Sequence, residues 1–184
     1  MNEDTKKMVG WGIVALVVVG IFVGLVMMSN SKTSTPAVTK PPITTPVSGT
    51  SPVNEEGKVV TAEGKEVKNN VTPGAVEAPK SSNPVAVVDI PPSAIKLQVT
   101  SGGFTPSSFE VKAGSAVTLS VTSGDTQTHI FMFNDASLSA VALGLGPQET
   151  RMITFNAPAK GEYAFRCDVP GHTGRGETGK MIVK

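Results

Sequence analysis

The chain has 184 residues, a formal net charge of +1, one cysteine and two histidines. The near-neutral charge gives no electrostatic reason to expect a nucleic-acid partner, and a single cysteine excludes an intramolecular disulfide framework. Fourteen prolines and nineteen glycines favour turns, strands and linkers over a helical domain.

An uncharged apolar run follows a short polar start. Residues 1–9 are polar, and the nineteen residues Gly10–Met28 contain no charged side chain. As a helix this run would be about 28 Å long, close to the ~30 Å hydrocarbon core of a bilayer. A cleaved secretory signal is the alternative, but its apolar core is shorter and ends in a small-x-small site. We therefore predict a cytoplasmic tail at 1–9 and a transmembrane anchor at 10–28.

Residues 29–93 have the composition of a linker. They contain ten of the fourteen prolines, many threonines and serines, and no aromatic residue. Such a segment buries too little apolar surface to offset its chain entropy. The stretch Glu55–Glu66 could form a weak hairpin, but disorder is favoured. We predict that residues 29–93 are a disordered tether.

From Ala94 onward the hydrophobic pattern changes to period two, which is typical of half-buried strands. Ile95, Leu97 and Val99 alternate with polar residues, and the run from His129 to Phe133 is apolar on both faces. The mixed segment 135–148 is predicted as a loop with at most one helical turn. Seven or eight short strands, with frequent turn signals, predict an all-β Greek-key sandwich or barrel over residues 94–184.

This part of the chain also contains the only cysteine and both histidines. Cys167 ends a predicted strand, His172 follows in the turn Asp-Val-Pro-Gly-His, and His129 lies on an earlier strand. Taken singly, the thiol would be a small buried hydrophobe and the histidines a core residue and a loop residue. Together, one thiolate and two imidazoles are the donors that suit copper in a trigonal arrangement. The combination favours a metal site.

The order of these residues resembles the cupredoxin family, which includes plastocyanin and azurin. The flanks match as well: a Gly-x-Tyr-x-Phe-x-Cys strand, a Pro-Gly-His turn and a closing Gly-Lys-Met-Ile-Val strand. The resemblance covers residues 94–184. It implies a cupredoxin-like sandwich, copper as the cofactor, and His129, Cys167 and His172 as equatorial ligands.

One position departs from the family pattern. Cupredoxins usually place an axial methionine a few residues past the second histidine, whereas this chain has Glu177. A carboxylate is a hard, charged donor and stabilises Cu(II) over Cu(I). Glu177 is expected either to bind copper as the fourth ligand or to turn to solvent and pair with Arg175 or Lys180.

The resemblance implies an electron-transfer protein rather than an enzyme, carrying one electron between redox partner proteins. The anchor would tether it to the cytoplasmic membrane with the copper domain on the periplasmic or extracellular side. Lys6 and Lys7 before the span balance Lys32 and Lys40 after it, so the charge rule alone does not decide the orientation. Two alternatives stay open: an open-site red copper protein resembling nitrosocyanin, with small-molecule redox activity, and a copper-handling or metal-free β-sandwich module.

Overall fold

The computed structural model describes residues 49–184, and these residues form nine strands in two sheets. The period-two stretches of the sequence become strands because alternate side chains then point into one shared core. The strands are β1 (Ile95–Thr100), β2 (Gly103–Thr105), β3 (Ser108–Val111), β4 (Ala116–Ser123), β5 (His129–Phe133), β6 (Ala142–Leu145), β7 (Thr150–Asn156), β8 (Gly161–Cys167) and β9 (Thr178–Val183).

One sheet has four strands in the order β2-β1-β4-β7, and the other has five in the order β3-β9-β8-β5-β6. The pairs β1–β4 and β3–β9 are parallel, and the remaining ladders are antiparallel. Within residues 49–184 the only helical pieces are three-residue 3-10 turns, at Val87–Asp89, Ala136–Leu138 and Thr173–Arg175. This arrangement confirms the predicted all-β sandwich.

A cluster of phenylalanines fills the space between the sheets. The rings of Phe131 and Phe165 lie 5.1 Å apart, and Phe104 meets Phe165 edge-on at the same distance. Contacts of this kind each add about 0.5–1.5 kcal/mol beyond the burial of their area. Phe131 on β5 pairs in register with Cys167 on β8. The aromatic core therefore fixes the two strands that carry the first histidine and the cysteine.

The structure corrects the prediction for residues 135–148. This segment holds the expected single turn at Ala136–Leu138, but it also contains β6 (Ala142–Leu145), which the sequence analysis treated as loop. β6 pairs with β5 and places Leu145 opposite His129. The four-residue strand Ala-Leu-Gly-Leu is too short for a clear periodic pattern. Its identity as a strand comes from the unpaired edge that β5 offers.

The prediction of a disordered tether is wrong for residues 49–93. Tight turns there close bridges between Val53 and Val59 and between Val60 and Glu66, and the side chains of Val59, Val60 and Val67 are buried. The weak hairpin considered for Glu55–Glu66 thus lies within ordered chain. Composition was a poor guide here, because a segment with few apolar residues can still be ordered when those residues are buried against a folded domain.

Backbone hydrogen bonds hold the end of this segment against the edge of the four-stranded sheet. The Ser82 N–H donates to the Met152 carbonyl at 2.8 Å, and the Met152 N–H donates to the Ser82 hydroxyl at 2.9 Å. The Val85 N–H donates to the Thr150 carbonyl. These residues cover β7, whose outer backbone groups would otherwise form an exposed sheet edge.

A single amide side chain ties the earlier part of the segment to the sandwich. The Asn156 carbonyl oxygen accepts from the Val59 N–H at 2.9 Å, and its amide nitrogen donates to the Val59 carbonyl at 3.2 Å. Asn156 therefore satisfies both backbone groups of a residue that is fully buried. This pairing takes the place of a strand partner.

The predicted tail and anchor, residues 1–28, lie outside the described residues, and so do residues 29–48 of the predicted tether. In the described part, residues 49–184, no helix has the length and apolar character needed to cross a membrane. The anchor stays a prediction from the sequence.

We expect Asn156→Ala to lower the free energy of unfolding by about 1–3 kcal/mol, because it leaves the buried Val59 N–H without a partner. The Val59 carbonyl loses one of its two donors and keeps the Val67 N–H. Urea denaturation measures the loss, and hydrogen exchange of residues 53–67 should accelerate with it. The matched control is Asn83→Ala, a change at an exposed asparagine of the same segment. Equal stability of the two variants would contradict the role assigned to Asn156.

Candidate metal centre

Antiparallel pairing brings the four predicted site residues to one end of the five-stranded sheet. His129 is the first residue of β5 and Cys167 is the last residue of β8, its antiparallel neighbour. Glu177 directly precedes β9, which is antiparallel to β8. His172 lies in the loop that joins β8 to β9. The start of β5, the end of β8 and the start of β9 must meet, because neighbouring strands run in opposite directions.

The donor atoms of these residues converge on a common point. One ligand atom from each of His129, Cys167, His172 and Glu177 lies within 4.8 Å of all the others. Oε2 of Glu177 is 2.9 Å from Nδ1 of both histidines. The cysteine Sγ is 3.5 Å from Nδ1 of His172 and 3.8 Å from Nδ1 of His129. The structure thus brings together all four residues singled out in the sequence.

The backbone holds the sulfur and the loop in place. The Cys167 N–H donates to the Glu177 carbonyl at 2.9 Å, and the Thr173 hydroxyl donates to the Cys167 carbonyl at 2.9 Å. The Ile130 N–H points at the cysteine Sγ from 3.3 Å. A hydrogen-bond donor at this position stabilises negative charge on the sulfur, and such hydrogen bonds adjust the reduction potential of copper–thiolate sites.

A glycine turns the chain so that Glu177 points inward. Gly176 ends the 3-10 turn with φ +92°, a left-handed conformation that residues with a Cβ adopt only at a cost. The turn also packs closely on β2, since a Cβ on Gly103 would lie 3.0 Å from the Gly176 carbonyl oxygen. The backbone around the glutamate is therefore restricted from both sides.

Asp125 is a member of the site that the sequence analysis missed. Its Oδ1 lies 3.0 Å from Nε2 of His129, and its carboxylate also accepts from the N–H groups of Ser101 and Gln127. The hydrogen bond with His129 is the main reason that the pKa of Asp125 is lowered to about 2. When a metal is bound, a carboxylate at Nε2 would hold the imidazole proton there and leave Nδ1 to bind the metal. In the sequence, Asp125 resembles any aspartate in a turn.

Glu177 is buried rather than turned to solvent. Its side chain is 0 % exposed, and its second oxygen, Oε1, accepts a hydrogen bond from Arg175 at 2.8 Å. The alternative in which Glu177 faces solvent is therefore wrong, although its pairing with Arg175 does occur. Lys180, the other candidate partner, contacts Glu162 on the surface.

The site's acidic groups have shifted protonation equilibria. Burial raises the pKa of the Cys167 thiol, and the neighbouring carboxylate of Glu177 raises it further. Burial also raises the pKa of Glu177, but hydrogen bonds from Cys167, His129, Arg175 and His172 outweigh it and lower the pKa overall. Without metal, the cluster therefore holds a carboxylate beside a protonated thiol. Metal binding would release the thiol proton, as thiolate ligation requires.

The donor set fits copper. A cysteine sulfur and two imidazole nitrogens are donors that suit copper, and they lie beside one harder carboxylate oxygen at the end of the sandwich. No methionine replaces the glutamate among the described residues: Met181 packs in the main core, Met152 belongs to a second apolar cluster, and Met132 contacts Arg166. The chain carries a His-Cys-His-Glu cluster that could bind copper.

Comparison with solved structures finds matches at low sequence identity. Auracyanin from Roseiflexus castenholzii is 23% identical, with a TM-score of 0.46 over 50% of this chain and 97% of that chain. Auracyanin A from Chloroflexus aurantiacus, described as a blue copper protein, is 24% identical, with a TM-score of 0.41 over 50% and 98%. Amicyanin from Paracoccus versutus is 24% identical, with a TM-score of 0.43 over 55% and 92%.

A search of curated protein sequences found no match to this chain. A family model, that of the cupredoxin-like domain, matches residues 82–183. The match begins in the segment that covers β7 and ends at the last residue of β9, so it includes all four cluster residues. Because it covers more than half of the chain, the protein belongs to the cupredoxin-like domain family.

Proposed function

We propose that the protein is a one-electron carrier whose copper is held by His129, Cys167, His172 and Glu177. The observation that carries the proposal is the convergence of the four donor atoms within 4.8 Å at the end of the sandwich. Copper bound there would supply the Cu(II)/Cu(I) couple. The chain's own contribution is a set of ligands whose positions are fixed by strand pairing and aromatic packing, so that little has to move when the charge changes.

Burial of the cluster favours a carrier over an enzyme. The side chains of His129, Cys167 and Glu177 are 0 % exposed, which leaves little access for a small-molecule substrate. The open-site red copper alternative has one observation in its favour, the Glu177 oxygen inside the cluster. That oxygen would occupy a coordination position on the metal, whereas an open site needs a position left free for a small molecule. A metal-free module is disfavoured, because a cysteine sulfur, two imidazoles and a carboxylate converge within 4.8 Å, and this is a donor set that suits copper.

His172 supports a route for the electron. It is the one cluster residue with a partly accessible side chain, at 10 % exposure. Its ring therefore lies between the cluster and solvent, where we propose that redox partner proteins dock. His129 lies deeper and has Asp125 against its outer nitrogen.

We further propose that the copper domain is tethered outside the cytoplasmic membrane. The support is the apolar run at 10–28 and the proline-rich composition that follows it. Because residues 49–93 pack on the sandwich, only residues 29–48 remain for the tether. Four of the fourteen prolines fall in that stretch.

Cys167→Ser tests the ligand set directly. We expect the copper-loaded variant to lose its thiolate-to-copper charge-transfer absorption completely, because a serine oxygen cannot supply that transition. Absorption and EPR spectra, measured with copper content, check this. A variant that keeps the band would rule out Cys167 as the copper ligand.

Glu177→Met tests the unusual fourth donor. Removing a negative charge about 3 Å from the metal changes the electrostatic energy by roughly 5 kcal/mol at an effective dielectric constant of ~20. At ~59 mV per tenfold change in the equilibrium constant, this gives an upper value of about 200 mV. Relaxation and the charge of Arg175 reduce it, so we expect the reduction potential to rise on the order of 100 mV.

Glu177→Gln is the matched control, since it keeps an oxygen donor of the same size and deletes only the charge. It should recover much of the rise if charge dominates over donor softness. Protein-film voltammetry of the three proteins provides the measurement. Should both variants keep the wild-type potential and spectrum, Glu177 is not a copper ligand.

The tether is tested by adding protease to intact spheroplasts. We expect cleavage before residue 49 to release a soluble domain that retains copper, because residues 49–93 are hydrogen-bonded to the sandwich. Mass spectrometry of the released fragment locates the cut. A domain that is fully protected until the membrane is lysed would place it on the cytoplasmic side.

A further inference from the structure

Arg175 donates a hydrogen bond to the oxygen of Glu177 that does not face the cluster. Oε2 of Glu177 contacts both histidines at 2.9 Å, while Oε1 accepts from Nη2 of Arg175 at 2.8 Å. The same Nη2 atom lies 3.1 Å from Oε1 of Gln127. Gln127 is two residues before His129, so the guanidinium joins the loop before β5 to the loop before β9.

We propose that Arg175 is a positioning residue that restricts Glu177 to one-oxygen binding of the metal. The inference rests on the proposed copper site and adds a determinant of its coordination number. A carboxylate can bind a metal through one oxygen or through both. With Oε1 engaged by a charge-assisted hydrogen bond, Oε2 is the oxygen presented to the two histidines and the cysteine.

The asymmetry of burial distinguishes this pair from an ordinary surface salt bridge. Exposed ion pairs contribute little, because water screens both partners. Here the glutamate is 0 % exposed and the arginine 40 % exposed. Arg175 therefore reaches from the surface to a buried oxygen that has no solvent to replace it. Without the guanidinium, Oε1 would lack this donor and could join Oε2 in binding a metal ion, as carboxylates do when they bind through both oxygens.

The consequence for copper follows from donor preference. A second carboxylate oxygen adds a hard ligand and raises the coordination number, and both changes favour Cu(II) over Cu(I). Arg175 also offsets part of the negative charge that Glu177 brings to the site. Arg175 would thus limit the number of oxygen donors that the cluster offers to copper.

The test compares copper-loaded full-length wild type with Arg175→Leu and Arg175→Lys. Copper stoichiometry, reduction potential and Cu(II) EPR spectrum are measured for each. In Arg175→Leu we expect roughly a tenfold rise in the ratio of Cu(II) to Cu(I) binding constants, equivalent to a potential lower by ~59 mV. The EPR spectrum should change toward higher coordination. Arg175→Lys should keep most of the potential, because it retains the charge and one donor to Oε1.

Arg151→Leu is the matched control. Arg151 is also partly exposed and pairs with a glutamate two residues away, Glu149, but on β7 in the other sheet. Its removal should leave both the potential and the EPR spectrum unchanged. It reports what the loss of one similar surface ion pair does to the whole protein.

A second arm separates positioning from simple electrostatics. A remote positive charge shifts the potential by the same amount whatever residue 177 is, so its effect adds to that of Glu177→Gln. If Arg175 acts through the carboxylate, Arg175→Leu should change the EPR spectrum in the wild-type background and leave it unchanged in the Glu177→Gln background. Its shift in potential should also be less than half as large there, a departure from additivity that marks coupling.

The outcomes distinguish this inference from the proposed function. Wild-type protein that binds no copper overturns both. Copper-loaded protein in which Arg175→Leu has the same potential and spectrum as Arg151→Leu overturns the role of Arg175 alone, and so does a shift that is fully additive with Glu177→Gln. If Arg175→Leu does not fold, Arg175→Ala takes its place: an EPR spectrum of higher coordination supports the inference, and a potential and spectrum equal to those of Arg151→Leu contradict it.

Discussion

The antiparallel register of β5, β8 and β9 is the constraint on which the site depends. Phe131 lies opposite Cys167, and Phe165 lies opposite both Phe133 and Gly179. The same ladders that align the aromatic core therefore align the chain ends that carry the donors. Gly179 leaves room for this packing, because a Cβ there would come within 2.4 Å of the Phe165 ring. A slip of one residue in this register would turn the side chains of the strand to the opposite face. It would therefore disrupt the aromatic core and the cluster of donor atoms at the same time.

The buried glutamate is acceptable because every one of its oxygens has a partner. Burying a lone carboxylate is costly, yet Glu177 lies among two imidazoles, a thiol and a guanidinium. Asp125 on the outer nitrogen of His129 and Arg175 on the outer oxygen of Glu177 form a second layer around the cluster. Outer groups of this kind orient the ligands. They come from loops, whereas three of the four donors lie at or beside strand ends.

The segment before β1 extends the sandwich beyond its strands. Residues 81–85 add backbone hydrogen bonds along β7, and Asn156 holds Val59 by both of its backbone groups. An exposed sheet edge is thereby covered by chain that is rich in proline and polar residues. Such a cover needs few apolar side chains, because the sheet supplies the partner surface.

The sequence by itself determined the strand pattern from Ala94, the all-β class and the cysteine and two histidines of the cluster, and the family resemblance added Glu177. These features are visible because side-chain alternation reports local burial, and because one cysteine and two histidines leave few candidate donors. Only the tertiary structure decided that β6 is a strand, that residues 49–93 are ordered, that Glu177 points inward, and that Asp125 and Arg175 flank the cluster. The physical reason is that these features depend on pairing between distant parts of the chain. Backbone groups at a sheet edge and charged side chains at a loop find their partners in space, and neither leaves a periodic signal in the sequence.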